Sequence, residues 1–236
     1  MASKKKKNQL KWRQYAFDFL TVFTGITVAF LLNAWSENRK DSHTESKILT
    51  EIRNGLQLDT ADIQANIRGH NLGIEACDYF RKLIDNQPVE DSLANVSFFL
   101  LLRDFISIQN KSGYESLKSK GLELVSDDSL RLTIIAMYDF HFQVLEKLEE
   151  NYMENQFYAN YFHKINELLS PNMRYDQSGK LMAFTGPLNL TPAEKNRFLT
   201  YLDKIQFNRE FIIEYYHTVN GAAVDLIQRI NVELEN

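Results

Sequence analysis

AFDFLTVFTGITVAFLLNAW, residues 16–35, is the stretch that decides how the rest of the chain is read. As a helix it extends about 30 Å, the thickness of a bilayer's hydrocarbon core. Its one charged residue, Asp18, lies near the start. Trp12 and Tyr15 precede it and Trp35 closes it, where interfacial aromatic rings settle. A cleaved signal peptide would show a shorter apolar core and a small-x-small exit, and Asn33-Ala34-Trp35 is not one. The stretch therefore reads as an uncleaved transmembrane helix.

Orientation follows from the flanks. The leader carries Lys4, Lys5, Lys6, Lys7, Lys11 and Arg13 with no acid among them. The other side mixes Arg39 and Lys40 with Glu37, Asp41 and Glu45. Positive charge is retained in the cytoplasm, so residues 1–15 form a basic cytoplasmic tail and residues 36–236 are exported to the periplasm. Beside a span, the six basic residues suit anionic lipid headgroups, and no nucleic-acid partner is expected.

The 236 residues carry a net charge of −4, so an acidic body follows the basic tip. A single cysteine, Cys77, excludes an intrachain disulfide and any cysteine-based zinc site. Nine Gly and four Pro argue against a strand-rich or disordered chain.

Beyond the span the pattern is helical. Leu49, Ile52, Leu56, Ile63, Ile67, Ile74, Cys77, Phe80 and Ile84 recur at helical spacing with no proline before Pro88, and Gly69 and Gly73 mark a bend. A second helix is expected over about 92–109. A short one follows, with Ser112 and Glu115 as a capping box and Gly121 as its stop. A long helix over about 127–169 comes next, then a small β-hairpin at about 173–184 turning at Ser178-Gly179. Thr191-Pro192-Ala193-Glu194 starts the last helix with a cap, a first-turn proline and a capping-box glutamate. Its seam runs Phe198, Leu202, Ile205, Arg209, Ile212, Tyr216, Val219, Ala223, Leu226 and Ile230, with one polar intruder. The expectation is an all-α protein: a transmembrane helix continuing into an elongated antiparallel bundle of three long helices, with shorter ones completing it.

Within the span, Asp18, Thr21, Gly25, Ala29 and Asn33 share an arc of about 120°. Small residues four apart let helices approach, and polar ones bond across the contact, so this face suits a second copy or another envelope protein. In the exported part, Tyr114, Glu115 and Leu117 form a partner-binding or structural motif. Glu214-x-x-His217 is a di-iron element, but it occurs once, and His43, His70, His141 and His163 lack the matching glutamate. No metal or other cofactor is expected, and His70 and His141 read as hydrogen-bonded core residues. Tyr152, Phe157, Tyr158, Tyr161, Phe162, Tyr215 and Tyr216 suit either a ligand pocket or packing. No phosphate loop or nucleophile elbow occurs.

NAWSENRK (residues 33–40) and GYESLKSKG (residues 113–121) resemble signatures of a large family of Bacteroidota membrane proteins defined by a domain without assigned activity. This chain has Ala34 where that family usually has a second Asn, Ser36 where Asn is usual, and Asp18 where Glu is usual. The resemblance covers most of the chain and implies a bacterial inner membrane. The expected role is a non-enzymatic scaffold or accessory subunit. The alternatives are a periplasmic sensor bundle lacking its own output domain and an ion-motive stator-like subunit dependent on Asp18.

Overall fold

The computed structural model describes the backbone of residues 2–235 and the side chains of residue 12 and residues 14–235. Lys4, Lys5, Lys6, Lys7, Lys11 and Arg13, expected at lipid headgroups, lie outside the described side chains. Seven α-helices are described: α1 (Ala2–Ile84), α2 (Ala94–Leu102), α3 (Ser112–Lys120), α4 (Asp128–Ala136), α5 (Phe142–Glu150), α6 (Phe157–Leu169) and α7 (Pro192–Glu235). One antiparallel hairpin joins them, β1 (Met173–Tyr175) with β2 (Leu181–Phe184). The protein is all-α with that small hairpin.

Two compact units divide the chain, Met1–Ile48 and Leu49–Asn236. In the first, every described side chain from Gln14 to His43 is exposed. The helix includes an apolar window long enough to cross a bilayer, none of it buried, and is by length and composition a candidate membrane span.

The second unit is built on α1 and α7. Asp85 pairs with Lys195, Gly73 lies under Arg209, and Arg53 bonds Asn231. Rising numbers on one helix meet falling numbers on the other, so the two run antiparallel. All ten expected seam residues of α7 are buried, Arg209 included. Leu49, Ile52, Leu56, Ile63, Ile67, Cys77, Phe80 and Ile84 are buried on α1, and Ile74 is half-buried. Phe80 meets Phe198 at 5.9 Å and Phe184 of the hairpin at 5.4 Å, which seats β2 on the core. Leu226 is fully buried. Leu226→Ala is expected to cost about 2–5 kcal/mol, read as a lower urea midpoint at unchanged slope.

The cap at α7 forms as expected: Glu194 N donates to Thr191 Oγ1, and Thr191 N donates to the Glu194 carboxylate at 2.8 Å. Several expectations need correction. Helix α1 is unbroken at Gly69 and Gly73. Both are sites of close packing, because a Cβ on Gly73 would lie 2.5 Å from the Arg209 guanidinium carbon and one on Gly69 would collide with Phe105. The helix expected over 92–109 stops at Leu102, and residues 103–111 have no regular secondary structure. The helix expected over 127–169 is three pieces. A π-helical turn, Met137–His141, joins α4 to α5, and a break at Asn151–Gln156 separates α5 from α6. Only α1 and α7 are therefore long. Ser112 is the first residue of α3 and makes no capping bond, Lys111 standing at the cap position.

Candidate functional site: polar side chains fastening an irregular strap

Residues 103–111 form a strap with neither helix nor strand partner, laid against the helices with Ser107 buried and Ile106 and Ile108 exposed. Buried peptide groups must be hydrogen-bonded somewhere. Here the partners are side chains from the surrounding helices. Ser107 donates through N (3.0 Å) and Oγ (2.7 Å) to Glu149 of α5, and Tyr216 of α7 donates to the same oxygen at 2.5 Å. Ile108 N donates to Asp62 of α1 at 3.2 Å. Asn110 donates through N (2.9 Å) and Nδ2 (2.6 Å) to Asp59 of α1. In return, Asp104 of the strap accepts from Phe157 N at 2.7 Å and Tyr158 N at 3.4 Å. That carboxylate caps the amide-rich start of α6.

Arg209 anchors the strap's beginning. Its Nη2 donates to the carbonyls of Leu100 (3.0 Å), Leu101 (3.1 Å) and Arg103 (2.9 Å), and Nη1 meets His70 Nδ1 at 3.1 Å. The guanidinium lies 4.2 Å from the ring centre of Phe157. Among the described residues it forms no ion pair. Its charge instead faces the carbonyl end of α2, where a cation is favoured. Burial draws its pKa down to about 10, so it stays charged at neutral pH.

A guanidinium only donates, so His70 Nδ1 is the acceptor and the ring proton sits on Nε2. Burial first, then the charge of Arg209, lowers the His70 pKa to about 3. Burial raises the pKa of Glu149, Asp59 and Asp104, against the hydrogen bonds that favour their ionised forms. The two effects oppose each other with pH. The neutral imidazole stabilises the fold fully above an unfolded pKa of about 6.5, and this is lost as pH falls towards 3. The raised carboxylates act in reverse, favouring the fold as pH falls. In His70→Gln the amide oxygen still accepts from Arg209 but cannot titrate. The wild-type urea midpoint is expected to fall relative to that variant between pH 6.5 and 3, and parallel profiles would count against a neutral His70.

The other candidate residues separate. Tyr114 and Leu117 of α3 are buried, and Tyr114 stacks on Tyr138 at 4.5 Å and donates to Asp139 at 2.8 Å. Glu115 is exposed and pairs with Lys118 at 2.7 Å. Glu214 and His217 are both exposed, and no cluster of metal-ligating side chains occurs among the described residues. His70 is a bonded core histidine as expected. His141 is half-buried; its Nδ1, like the Nε2 of His70, lacks a partner among the described residues. The aromatic set divides, with Phe157, Tyr161 and Tyr216 in the core, Tyr152 exposed, and Tyr158 and Phe162 stacked on the wall of an open groove against α2. Arg103 covers the Phe99 ring of that groove at 4.9 Å. Cys77 is a free, buried core thiol.

On the span, Asp18, Thr21, Gly25, Ala29 and Asn33 are exposed. Thr21 donates to Phe17 O within its own helix, and Asn33 donates to Glu37 at 3.1 Å. A side chain at Gly25 would meet nothing within 4 Å. Sequence reasoning missed the carboxylates that fasten the strap, although Asp59 and Glu149 each interrupt an apolar pattern. Compared with protein-family models, with characterised proteins and with solved structures, the chain matches none.

Proposed function

We propose that the chain is a single-pass protein of a bacterial inner membrane, with a cytoplasmic N-terminus and a periplasmic helical unit. In this reading it is a non-enzymatic scaffold or accessory subunit that joins a second copy of itself or another envelope protein through its span. The observation that carries the reading is an apolar helix with no described side chain covered from Gln14 to His43. Lipid suits most of that surface, but Asp18, Thr21, Gly25, Ala29 and Asn33 make one side small and polar. The resemblance of the two short motifs to the Bacteroidota family agrees with this setting. Glu149, Asp59, Asp104 and Arg209 each bond backbone groups of the strap or its neighbours, which supports a structural role for them.

Gly25→Leu is expected to lower self-association or recovery of the partner from mild detergent, because a bulky side chain holds two helices apart. Ile26→Leu, on another face, should leave recovery at the wild-type level. Cross-linking in native membranes followed by mass spectrometry reads both. Equal recovery of the two variants would remove the small-residue face from the proposal.

A further inference from the structure

Two lines of apolar side chains lie side by side on the outside of the helical unit. On α1, Leu58, Ala65 and Leu72 recur at seven-residue steps, and all three are exposed. Seven residues is close to two turns, so they share one face. Beside them the strap turns Ile106 and Ile108 outward. Leu58 is 64% exposed and Ile108 is 80% exposed. Single exposed aliphatic residues are ordinary, but a contiguous group of them marks a contact surface.

The two lines run in opposite directions, and three contacts fix their levels. Ile108 N bonds Asp62, one turn beyond Leu58. Phe105 packs where Gly69 lacks a side chain. Arg209 holds the Arg103 carbonyl, and its guanidinium lies on Gly73. Ile108 therefore stands near the level of Leu58, and Ile106 near that of Ala65. Arg103 stands near Glu75, two residues beyond Gly73. Arg103 and Glu75 are both exposed, and neither forms an ion pair among the described residues.

This face complements itself. A two-fold axis parallel to α1 keeps every level and exchanges the two lines between copies. Ile108 then meets Leu58 of a second copy, Ile106 meets Ala65, and the Arg103 cation meets the Glu75 carboxylate. We propose that the helical unit pairs with a second copy through this face, α1 of each lying against the strap of the other. From Leu58 to Glu75 the face is about 25 Å long, and two elements make it about 20 Å wide, so pairing hides about 1,000 Å² in total. That is the low end for a specific interface, sufficient where a shared membrane concentrates the copies; in that respect the pairing rests on the proposed anchoring. It uses no residue of the span.

The test uses full chains in native membranes. Leu58→Cys and Ile108→Cys are placed on separately tagged copies, co-expressed and oxidised with copper phenanthroline, the native Cys77 being buried. The mixed disulfide is expected to exceed either homodisulfide at least fivefold. Replacing Ile108→Cys by Phe207→Cys, exposed on α7, should give only background. Arg103→Glu or Glu75→Arg, each carried by both copies, should cut the mixed disulfide at least fivefold by setting like charges together. Both changes in one chain should restore it. Gly25→Leu, which probes the span, should leave it in place. A mixed disulfide no stronger than the Phe207→Cys background, an excess of the Leu58→Cys homodisulfide, or a double swap no better than the single ones would each overturn the proposal. Loss of the mixed disulfide in Gly25→Leu would assign the contact to the span and overturn it as well.

Discussion

Arg209→Ala is expected to leave the helical unit largely unfolded at 25 °C. The change strips the donor from three carbonyls and from His70 Nδ1, of which the Leu101 carbonyl and His70 are buried and the other two partly buried. An unsatisfied buried polar group costs about 1–3 kcal/mol, and breaking a buried charged site by truncation typically costs about 3–5 kcal/mol. The loss of packing on Phe157 adds to this. A total above about 5 kcal/mol approaches the whole stability of an ordinary domain. Far-UV circular dichroism should show the loss of helix, and a urea midpoint should be absent or near zero. Arg209→Lys keeps the charge but offers one nitrogen where two are used, so it should recover only part of the stability. Arg229→Ala on the same helix removes an exposed pair with Asp225 and should change stability by less than about 1 kcal/mol. An unaltered midpoint in Arg209→Ala would refute the anchoring role.

Deleting residues 16–35 is expected to move the protein almost completely from the membrane pellet to the soluble fraction, because this removes the apolar window of α1. Burial of about twenty apolar residues in lipid is effectively irreversible, so the change should be all-or-none. In the intact chain, a reporter active only in the periplasm should work when fused after Asn236, and a cytoplasm-only reporter should be silent there. Replacing Lys4, Lys5, Lys6 and Lys7 together with Gln should weaken that asymmetry. The opposite reporter pattern would reverse the proposed orientation.

Periodicity made the two long helices legible, because their partners are mostly apolar and a buried face repeats wherever a helix packs. The Thr191 cap and the Ser178-Gly179 turn were legible for a different reason: their bonds are local. What sequence could not place were the helix ends set from a distance. Helix α2 stops at Leu102 where Arg209 takes its last carbonyls, across 106–109 residues of chain. The start of α6 is fixed by Asp104, 53 residues earlier, so the apolar run over 127–169 gives no local sign of the break. The strap's ties did leave a trace. Asp59 stands between Leu56 and Ile63, His70 between Ile67 and Ile74, and Glu149 one turn beyond Leu145, each where the helical period calls for an apolar residue. A polar residue on an inner face has a partner to find, and here the partner is strap backbone for Asp59 and Glu149 and the Arg209 guanidinium for His70.

The strap also sets an order of assembly during synthesis. Asp59 and Asp62 leave the ribosome first, the strap about fifty residues later, Glu149 next, and Arg209 about a hundred residues after the strap it holds. Until Arg209 is released, the last carbonyls of α2 have no donor and the apolar face of α1 has no α7 to cover it. Non-local contacts of this kind form slowly, because the chain between them must be brought into place first. The α1–α2 segment thus emerges as an incomplete clasp, open and sticky for most of its synthesis, and only the arrival of α7 closes it. A chain that ends before residue 209 lacks the donor for the last carbonyls of α2 and so cannot close that clasp.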